Sequence, residues 1–269
     1  MLVKRTLVLT IDIGNSQTAI GIYRGSKIEA SYRLSTIERT TSDEIFFRIS
    51  DLIKHFGKKP RDFTHIGLST VVPQLERPWI NALNAYFNKA IQIVSHRNCL
   101  DLPIAYPRPA SVGPDRLCNM IALRSKGIKN GIVVDMGTAT TFDVLYDGGF
   151  AGGLIVPGIS ASMDTLTEKA AMLLPVPIKW TNKFVAKNTG DAMRAGILHG
   201  FLGQLDFLTK GITKEMGMEK APIIATGGWG QLLLKRSPII KDYDPFLTLE
   251  GIRLIAINGN GFSKTEGEE

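Results

Sequence analysis

The sequence predicts an α/β fold built from two related domains, each with a mixed sheet flanked by helices. Two observations lead to this prediction. A buried strand followed by an acidic turn occurs twice, about half the chain apart, and stretches with strand and helix patterns alternate along the sequence. A chain of 269 residues, 44% of them hydrophobic and 21% charged, is long enough to bury two cores.

The first acidic turn lies near the start of the chain. Apolar residues from Leu7 to Ile13 predict a buried strand, Gly14 to Ser16 a tight turn, and Thr18 the start of a second strand. Asp12 lies where the first strand ends, and a buried carboxylate needs hydrogen-bond donors, a cation or a metal. A phosphate carried by Mg²⁺ would meet that need, so the pattern predicts a phosphate-binding hairpin.

The same arrangement occurs again over residues 131–144, with Asp135 and Gly137 before a turn rich in hydroxyl groups. Two copies at this spacing predict duplicated domains that face each other, with a nucleotide between their hairpins. The sequence lacks a Gly-x-x-x-x-Gly-Lys-Ser/Thr motif, so the phosphate site is not a P-loop.

The remaining elements are predicted from the spacing of apolar residues and from the Gly and Pro residues that separate the segments. In the first half, strand patterns cover 28–34, 63–68 and 91–94, and helical spacing covers 41–56 and 73–87. A proline-rich loop over 98–114 is either the linker or an active-site loop, and its end is the predicted domain boundary, which gives domains 1–114 and 115–269. The second domain starts with a helix from 114 to about 126, followed by strands from 131, 140 and 149. Helices are predicted after 159 and 188. A strand at 222–226 and a helix at 246–257 complete the domain.

The composition excludes several classes of function. The net charge is +7, but the basic residues are scattered, and their one cluster, residues 58–61, indicates a solvated loop rather than a nucleic-acid site. No apolar stretch is long enough to span a membrane, and the first apolar run is interrupted at Asp12, so we expect no export. Cys99 and Cys118 form neither a metal spacing nor a disulfide framework, which favours the reducing cytoplasm.

Five motifs in order resemble type III pantothenate kinase. They are Asp12-x-Gly14-Asn15-Ser16, Tyr106-x-x-Pro109-x-x-x-Gly113-x-Asp115-Arg116, Asp135-x-Gly137-Thr138-Ala139-Thr140-Thr141, Gly152-Gly153-x-Ile155-x-Pro157-Gly158-Ile159, and Asn188-Thr189-x-Asp191-Ala192. The resemblance implies two ribonuclease H-like domains of the actin/Hsp70/sugar-kinase superfamily. It also implies ATP-dependent phosphorylation of pantothenate, the first step towards coenzyme A, by a homodimer that uses Mg²⁺ with ATP and a monovalent cation, K⁺ or NH₄⁺. Ser16 stands where the family more often has Thr, and Pro114 where Ala is commoner.

The resemblance also assigns residues to sites. Asp115 is the expected general base, Asp135 the expected ligand of the monovalent cation, and Gly227 with Gly228 resembles the adenosine-side glycines of the superfamily. The expected ATP contacts are Asp12, Ile13, Gly14, Asn15, Ser16, Gln17, Thr18, Ala19 and Thr138. The expected pantothenate contacts are Tyr106, Gly113, Pro114, Asp115, Arg116 and Thr189, of which Thr189 reaches across the dimer.

Other interpretations of these residues stay open on the sequence alone. Pro114 and Asp115 also suit a helix N-terminus, and Arg116 suits a helix surface. Asp135 could bond its own turn, and Thr189 could be a helix N-cap. Two other functions also fit: a non-catalytic regulatory relative of the family, and a kinase of the same superfamily that acts on another small hydroxylated molecule.

Overall fold

A computed structural model describes residues 7–258, which divide into two compact units. The first unit contains the chain up to Lys126 together with the segment from Phe246 onwards, and the second unit contains Gly127–Pro245. This division differs from the predicted boundary at residue 114. The helix that starts at Pro114 packs against the last helix of the chain, so both helices belong to the first unit.

The first unit has one five-stranded sheet, in the order β3-β2-β1-β4-β5. Strand β2 is antiparallel to β1 and β3, whereas β4 runs parallel to β1 and β5. The strands are β1 (Leu7–Ile13), β2 (Gln17–Arg24), β3 (Lys27–Ser35), β4 (Phe63–Thr70) and β5 (Gln92–Ile93). The helices are α1 (Ser42–His55), α2 (Pro73–Phe87), α3 (Pro114–Ser125) and α7 (Leu247–Asn258), with short 3₁₀ turns at Pro60–Asp62 and Pro109–Ser111.

The second unit repeats this sheet, in the order β8-β7-β6-β9-β10. Strand β7 is antiparallel to β6 and β8, and β9 is parallel to β6 and β10. Its strands are β6 (Gly131–Met136), β7 (Ala139–Tyr146), β8 (Gly149–Pro157), β9 (Ile223–Thr226) and β10 (Asp242–Tyr243). Its helices are α4 (Ile159–Lys169), α5 (Thr189–Met216) and α6 (Gly230–Leu234). The shared order and directions confirm the duplicated mixed-sheet architecture.

Strand β1 is buried on both faces, as its continuous apolar sequence predicts. Alternate residues of a strand point to opposite faces, so Leu7, Leu9, Ile11 and Ile13 pack against the apolar stripes of α1 and α2. Those stripes consist of Ile45, Ile49 and Ile53 on α1, and Leu75, Trp79 and Leu83 on α2. A capping box starts α1, because Glu44 accepts from the Thr41 backbone N–H and Thr41 Oγ1 accepts from the Glu44 N–H.

Helix α7 covers the other face of the first sheet. A Cβ at Gly67 of β4 would lie 2.6 Å from Cγ2 of Ile252, and a Cβ at Gly21 of β2 would lie 3.2 Å from Cδ1 of Leu249. These glycines therefore let the helix approach the sheet closely. Burial of such side chains contributes about 1.5–3 kcal/mol each.

Helix α7 is also in close contact with α3. A Cβ at Gly251 would overlap the backbone of Cys118 and come 2.6 Å from its Cα. Thr248 donates to Oδ1 of the fully buried Asn119 at 2.8 Å, which adds a polar link between the same two helices. Filling a close-packed contact of this kind costs about 1–3 kcal/mol, so the approach of α3 to α7 requires glycine at 251.

The second core lies between β6, β7, β9 and the helix α5. Its buried residues include Ile132, Val134 and Met136 from alternate positions of β6, and Leu198 and Leu205 from α5. Trp229 is partly buried and packs against this core. Between residues 7 and 258, no helix combines the length and the apolar character that crossing a membrane requires.

Candidate active site

The first acidic hairpin joins β1 to β2. Asp12 is half-buried near the end of β1, where the buried Ser69 of β4 donates its hydroxyl to Oδ1 of Asp12 at 2.9 Å. The Gly14 N–H donates to the Gln17 carbonyl at 3.0 Å and closes the turn. Asn15, Ser16 and Gln17 are exposed, so the tip of the hairpin is open to a ligand.

Strand alternation places Asp12 on the face of the sheet that α7 covers. Asp12 shares a face with Val8 and Thr10, and Thr10 pairs with Gly21 and Gly67, the two glycines beneath α7. Asp12 lies two residues further along, where the strand ends. Helix α7 also contacts α3, so Asp12 lies on the face of the sheet that is covered by the helix packed against α3.

Helix α3 begins at Pro114, with Gly113 as its N-cap and Asp115 in its first turn. Oδ1 of Asp115 accepts the backbone N–H of Arg116 at 2.8 Å. A Cβ at Gly113 would lie 2.5 Å from that same oxygen, so the position of the carboxylate requires glycine there. Asp115 therefore does interact with its helix terminus, as one of the two sequence interpretations expects. Arg116 is 7% exposed, which excludes the alternative of a surface arginine.

The pKa values of two groups on α3, the Asp115 carboxyl and the Cys118 thiol, are raised. Burial raises the pKa of the Asp115 carboxyl above its usual range, against the opposing effects of the Arg116 N–H and guanidinium. Burial also raises the pKa of the Cys118 thiol well above its ordinary value, and the charges of Asp12 and Asp115 raise it further. Asp12, Asp115 and Cys118 all belong to the first unit.

The second acidic hairpin joins β6 to β7. Asp135 is half-buried one residue before the end of β6, and the register pairs it with Thr226 of β9, as Asp12 is paired with Ser69. The Gly137 N–H donates to the Ala139 carbonyl at 3.1 Å, and Thr138 at the tip is exposed. The two hairpins are therefore equivalent in position, although the second turn is shorter.

Two glycines pack closely against the second hairpin. Gly227 has a φ of 82°, and a Cβ there would lie 2.6 Å from the Met136 carbonyl oxygen and 2.7 Å from Oδ1 of Asp135. A Cβ at Gly158 would overlap the carbonyl oxygens of Gly137 and Thr138. Oδ1 of Asp135 and the carbonyl oxygens of Met136, Gly137 and Thr138 thus lie beside two glycines, and oxygens of this kind suit a hard cation.

The start of α5 resolves one open interpretation. Asn188 is the N-cap, because its Oδ1 accepts the Asp191 N–H at 2.9 Å and its Nδ2 donates to Oδ2 of Asp191 at 2.8 Å. Thr189 is the first helical residue and is exposed, so the interpretation of Thr189 as the N-cap is wrong. The hydroxyl of Thr189 is therefore not required to cap this helix.

The expected site residues are divided between the two units. The first unit contains the hairpin from Asp12 to Ala19, the half-buried Tyr106, and the α3 start from Gly113 to Arg116. The second unit contains Asp135, Thr138 and Thr189. Among residues 7–258, no group of three or more His, Cys, Asp or Glu side chains could hold a metal ion.

Sequence reasoning missed three residues of the site. Ser69 bonds Asp12, Thr36 bonds the first turn, and Gly251 sets the approach of α3. Ser69 does lie at a predicted strand end, and that position was the available signal. Thr36 and Gly251 carry no local signal, because their partners are distant in sequence.

Comparison with known proteins gives consistent matches. The family model for type III pantothenate kinase matches residues 8–211. A type III pantothenate kinase from Myxococcus xanthus is 34% identical over 250 residues, which cover 93% of this chain and 97% of that protein. The match to the family model spans both hairpins and the start of α3.

Two solved structures share the fold. A Baf family transcriptional activator from Campylobacter jejuni, so described, has a TM-score of 0.59 at 21% identity, over 92% of this chain and 96% of its own. A ROK hexokinase from Thermus thermophilus has a TM-score of 0.52 at 12% identity, over 94% and 98% of the two chains. The chain therefore shares the α/β fold of these two structures.

The burial of Asp115 leads to a prediction about stability. Because its folded-state pKa is raised, the native protein holds the proton more tightly than the unfolded chain, and stability falls as the pH rises through that window. We expect Asp115→Asn to raise the melting temperature at pH 7, on the order of 2 °C. The gain should shrink as the pH is lowered towards the ordinary Asp pKa of 3.8.

Scanning calorimetry at several pH values measures this gain. Asp51→Asn, on the exposed face of α1, is the matched control and should show no such pH-dependent gain. A loss of stability in Asp115→Asn at pH 7 would show that ionised Asp115 is stabilised rather than desolvated in the fold.

Proposed function

This chain belongs to the type III pantothenate kinase family, and we propose which of its residues carry out the reaction of that family. It is an ATP-dependent kinase that phosphorylates pantothenate to 4′-phosphopantothenate in coenzyme A biosynthesis. The observation that carries the residue assignment is geometric: Asp12 lies at the end of β1 on the face that α7 covers, and Asp115 lies in the first turn of α3, which also packs against α7. A cytoplasmic location is part of the proposal, supported by the free thiols of Cys99 and Cys118.

The first hairpin is the proposed site for the ATP phosphates. Its tip is exposed, and turns of successive backbone N–H groups bind anions. Asp12 fits Mg²⁺, because it is a half-buried carboxylate whose Oδ1 is oriented by Ser69. When bound, Mg²⁺ neutralises phosphate charge. The proposed ATP contacts are Asp12, Ile13, Gly14, Asn15, Ser16, Gln17, Thr18, Ala19 and Thr138.

Asp115 is the proposed general base. The Arg116 N–H bonds Oδ1 and orients the carboxylate, which accepts the proton of the primary hydroxyl of pantothenate. The hydroxyl oxygen then attacks the γ-phosphorus, and ADP leaves. Desolvation makes this carboxylate a stronger base than an exposed aspartate, which suits proton transfer near neutral pH.

The neighbours of Asp115 are the proposed pantothenate contacts. The guanidinium of the buried Arg116 suits a carboxylate, which it can bind at two points. Gly113 leaves the space that Asp115 occupies, and Pro114 fixes the first turn of α3. Tyr106, in the preceding loop, and the exposed Thr189 complete the proposed set.

The general-base assignment predicts a large loss of turnover in Asp115→Asn. We expect kcat for ADP release with MgATP and pantothenate to fall by about 10²–10⁴-fold, since the amide cannot accept the proton. Asp51→Asn, on exposed α1, should keep wild-type turnover. A folded Asp115→Asn protein with nearly wild-type kcat would contradict the assignment. A wild-type protein that binds ATP without phosphorylating pantothenate would instead favour a regulatory relative or another acceptor.

Asp135 and the carbonyls beside it are the proposed monovalent-cation site. The oxygens beside Gly158 and Gly227 support this assignment, since K⁺ prefers carboxylate and carbonyl ligands. When bound, K⁺ would supply positive charge beside Asp135. Within this chain, Gly227 and Gly158 keep side chains away from these oxygens.

This assignment predicts a dependence on K⁺ that Asp135 mediates. Replacing KCl with choline chloride at constant ionic strength should lower wild-type kcat/KM for ATP, and NH₄Cl should restore it. In Asp135→Asn, activity should no longer respond to K⁺, whereas Asp164→Asn, on the exposed side of α4, should respond normally. A wild-type rate that is the same with and without K⁺ would contradict the proposed site.

A homodimer is proposed through the second unit. Large apolar side chains are exposed there, including Met172 (92%), Phe184 (79%) and Phe207 (76%), and the edge strand β8 exposes Ile155. Exposed apolar surface of this kind marks an interaction site. A second copy of the chain is the proposed partner, with Thr189 of one copy completing the site of the other.

The dimer predicts a solution mass twice the 29.5 kDa of the chain. Phe207→Glu should shift sedimentation towards the monomer and lower activity, because it places a charge in the contact. Phe47→Glu, at a similarly exposed position on α1, should leave both unchanged. A wild-type protein that sediments as a monomer at micromolar concentration would disprove the dimer.

A further inference from the structure

The residue that follows the third strand of each sheet bonds the adjacent hairpin turn. Thr36 follows β3, and its N–H donates to the Ser16 carbonyl at 3.1 Å. Gly158 follows β8, and its N–H donates to the Thr138 carbonyl at 3.0 Å. Because the two sheets share one strand order, Thr36 and Gly158 occupy equivalent positions.

The side chains at these positions differ in a way that matters for the turn. At Gly158 a Cβ would overlap the carbonyl oxygens of Gly137 and Thr138, so that position excludes any side chain. At Thr36 the side chain is present, and its Oγ1 donates to the Gly14 carbonyl at 2.8 Å. The first turn is thus held by a side-chain hydroxyl group, whereas at the equivalent position of the second hairpin the backbone of Gly158 packs directly against the turn.

The hydroxyl of Thr18 forms a hydrogen bond with the hydroxyl of Thr36. Its Oγ1 lies 3.0 Å from Oγ1 of Thr36, and Thr18 is almost fully buried. A hydroxyl has a single hydrogen to donate, so Thr36 donates to Gly14 and accepts from Thr18. Both side chains line a small crevice of mixed polar and apolar residues, and partial shielding from water strengthens a hydrogen bond.

These bonds fix the orientation of one peptide group in the turn. The carbonyl of Gly14 and the N–H of Asn15 belong to the same planar trans peptide and point in opposite directions. When Thr36 holds the carbonyl on its own side, the Asn15 N–H must point away from Thr36. The exposed tip of the hairpin is therefore oriented by a residue outside it.

We propose that Thr36 is a positioning residue that presents the Asn15 N–H to a phosphate of ATP. Thr36 acts through the turn and does not itself contact the nucleotide. The inference rests on the proposed function, because it takes the first hairpin as the phosphate site. It adds a residue that lies outside the hairpin and outside the motifs that indicate the family.

The test compares Thr36→Val, which keeps the shape and removes the hydroxyl, with Thr36→Ser, which retains the hydroxyl. Thr64→Val is the matched control, because Thr64 also donates its hydroxyl to a carbonyl, that of Leu7 at the opposite end of β1. Calorimetric titration with ADP gives the Kd of the nucleotide, and steady-state kinetics give separate KM values for ATP and pantothenate.

We expect Thr36→Val to raise the Kd for ADP and the KM for ATP about 5- to 10-fold, because the Gly14 carbonyl loses the hydrogen bond from Thr36, which is worth roughly 1 kcal/mol. The KM for pantothenate should stay within about twofold of the wild-type value, since the change lies on the nucleotide side. Thr36→Ser should restore nucleotide binding, and Thr64→Val should leave it unchanged.

Three outcomes would overturn the inference alone: unchanged nucleotide binding in Thr36→Val, no restoration in Thr36→Ser, or an equal loss in Thr64→Val. In each of these, wild-type protein would still bind ADP and phosphorylate pantothenate. A wild-type protein that binds neither ADP nor ATP would overturn the proposed function and this inference together.

Discussion

The close contact between α7 and α3 at Gly251 determines where Asp115 lies in the first unit. Helix α7 also packs on the first sheet at Gly21 and Gly67, beside the strand that ends at Asp12. A segment from the far end of the chain therefore lies against both elements that carry the carboxylates. A misplacement of about 1 Å at a catalytic group can cost 10²-fold in rate, so this packing is a functional constraint as well as a structural one.

The same packing desolvates Asp115. An exposed carboxylate would be a weaker base, and a fully isolated one would be too costly to bury. The N–H of Arg116 offsets part of that cost by bonding one oxygen, and Gly113 leaves room for this geometry. Desolvation of the Asp115 carboxylate thus lowers stability and favours proton transfer, a trade-off that is common at functional sites.

Local patterns predict the elements of this fold well and their long-range contacts poorly. Apolar periodicity predicts β1 at residues 7–13 and α2 at 73–87 with the bounds that the structure has, because both are set by residues close in sequence. The contact between α7 and α3 has no local signal, since Gly251 looks like an unfavourable residue within a helix. Likewise, Thr36 is an ordinary residue after a strand, and only the sheet register brings it to Gly14. Asn188 and Thr189 are both acceptable N-caps in sequence, and backbone geometry alone selects Asn188.

The central claim is that the desolvated carboxylate of Asp115 accepts the proton of pantothenate. The pH dependence of kcat/KM for pantothenate tests it most directly. We expect the wild-type rate to fall on the acid side with a midpoint above the ordinary Asp pKa of 3.8, and the residual rate of Asp115→Asn to lack that fall. An acid limb of the same shape and midpoint in both proteins would contradict the claim.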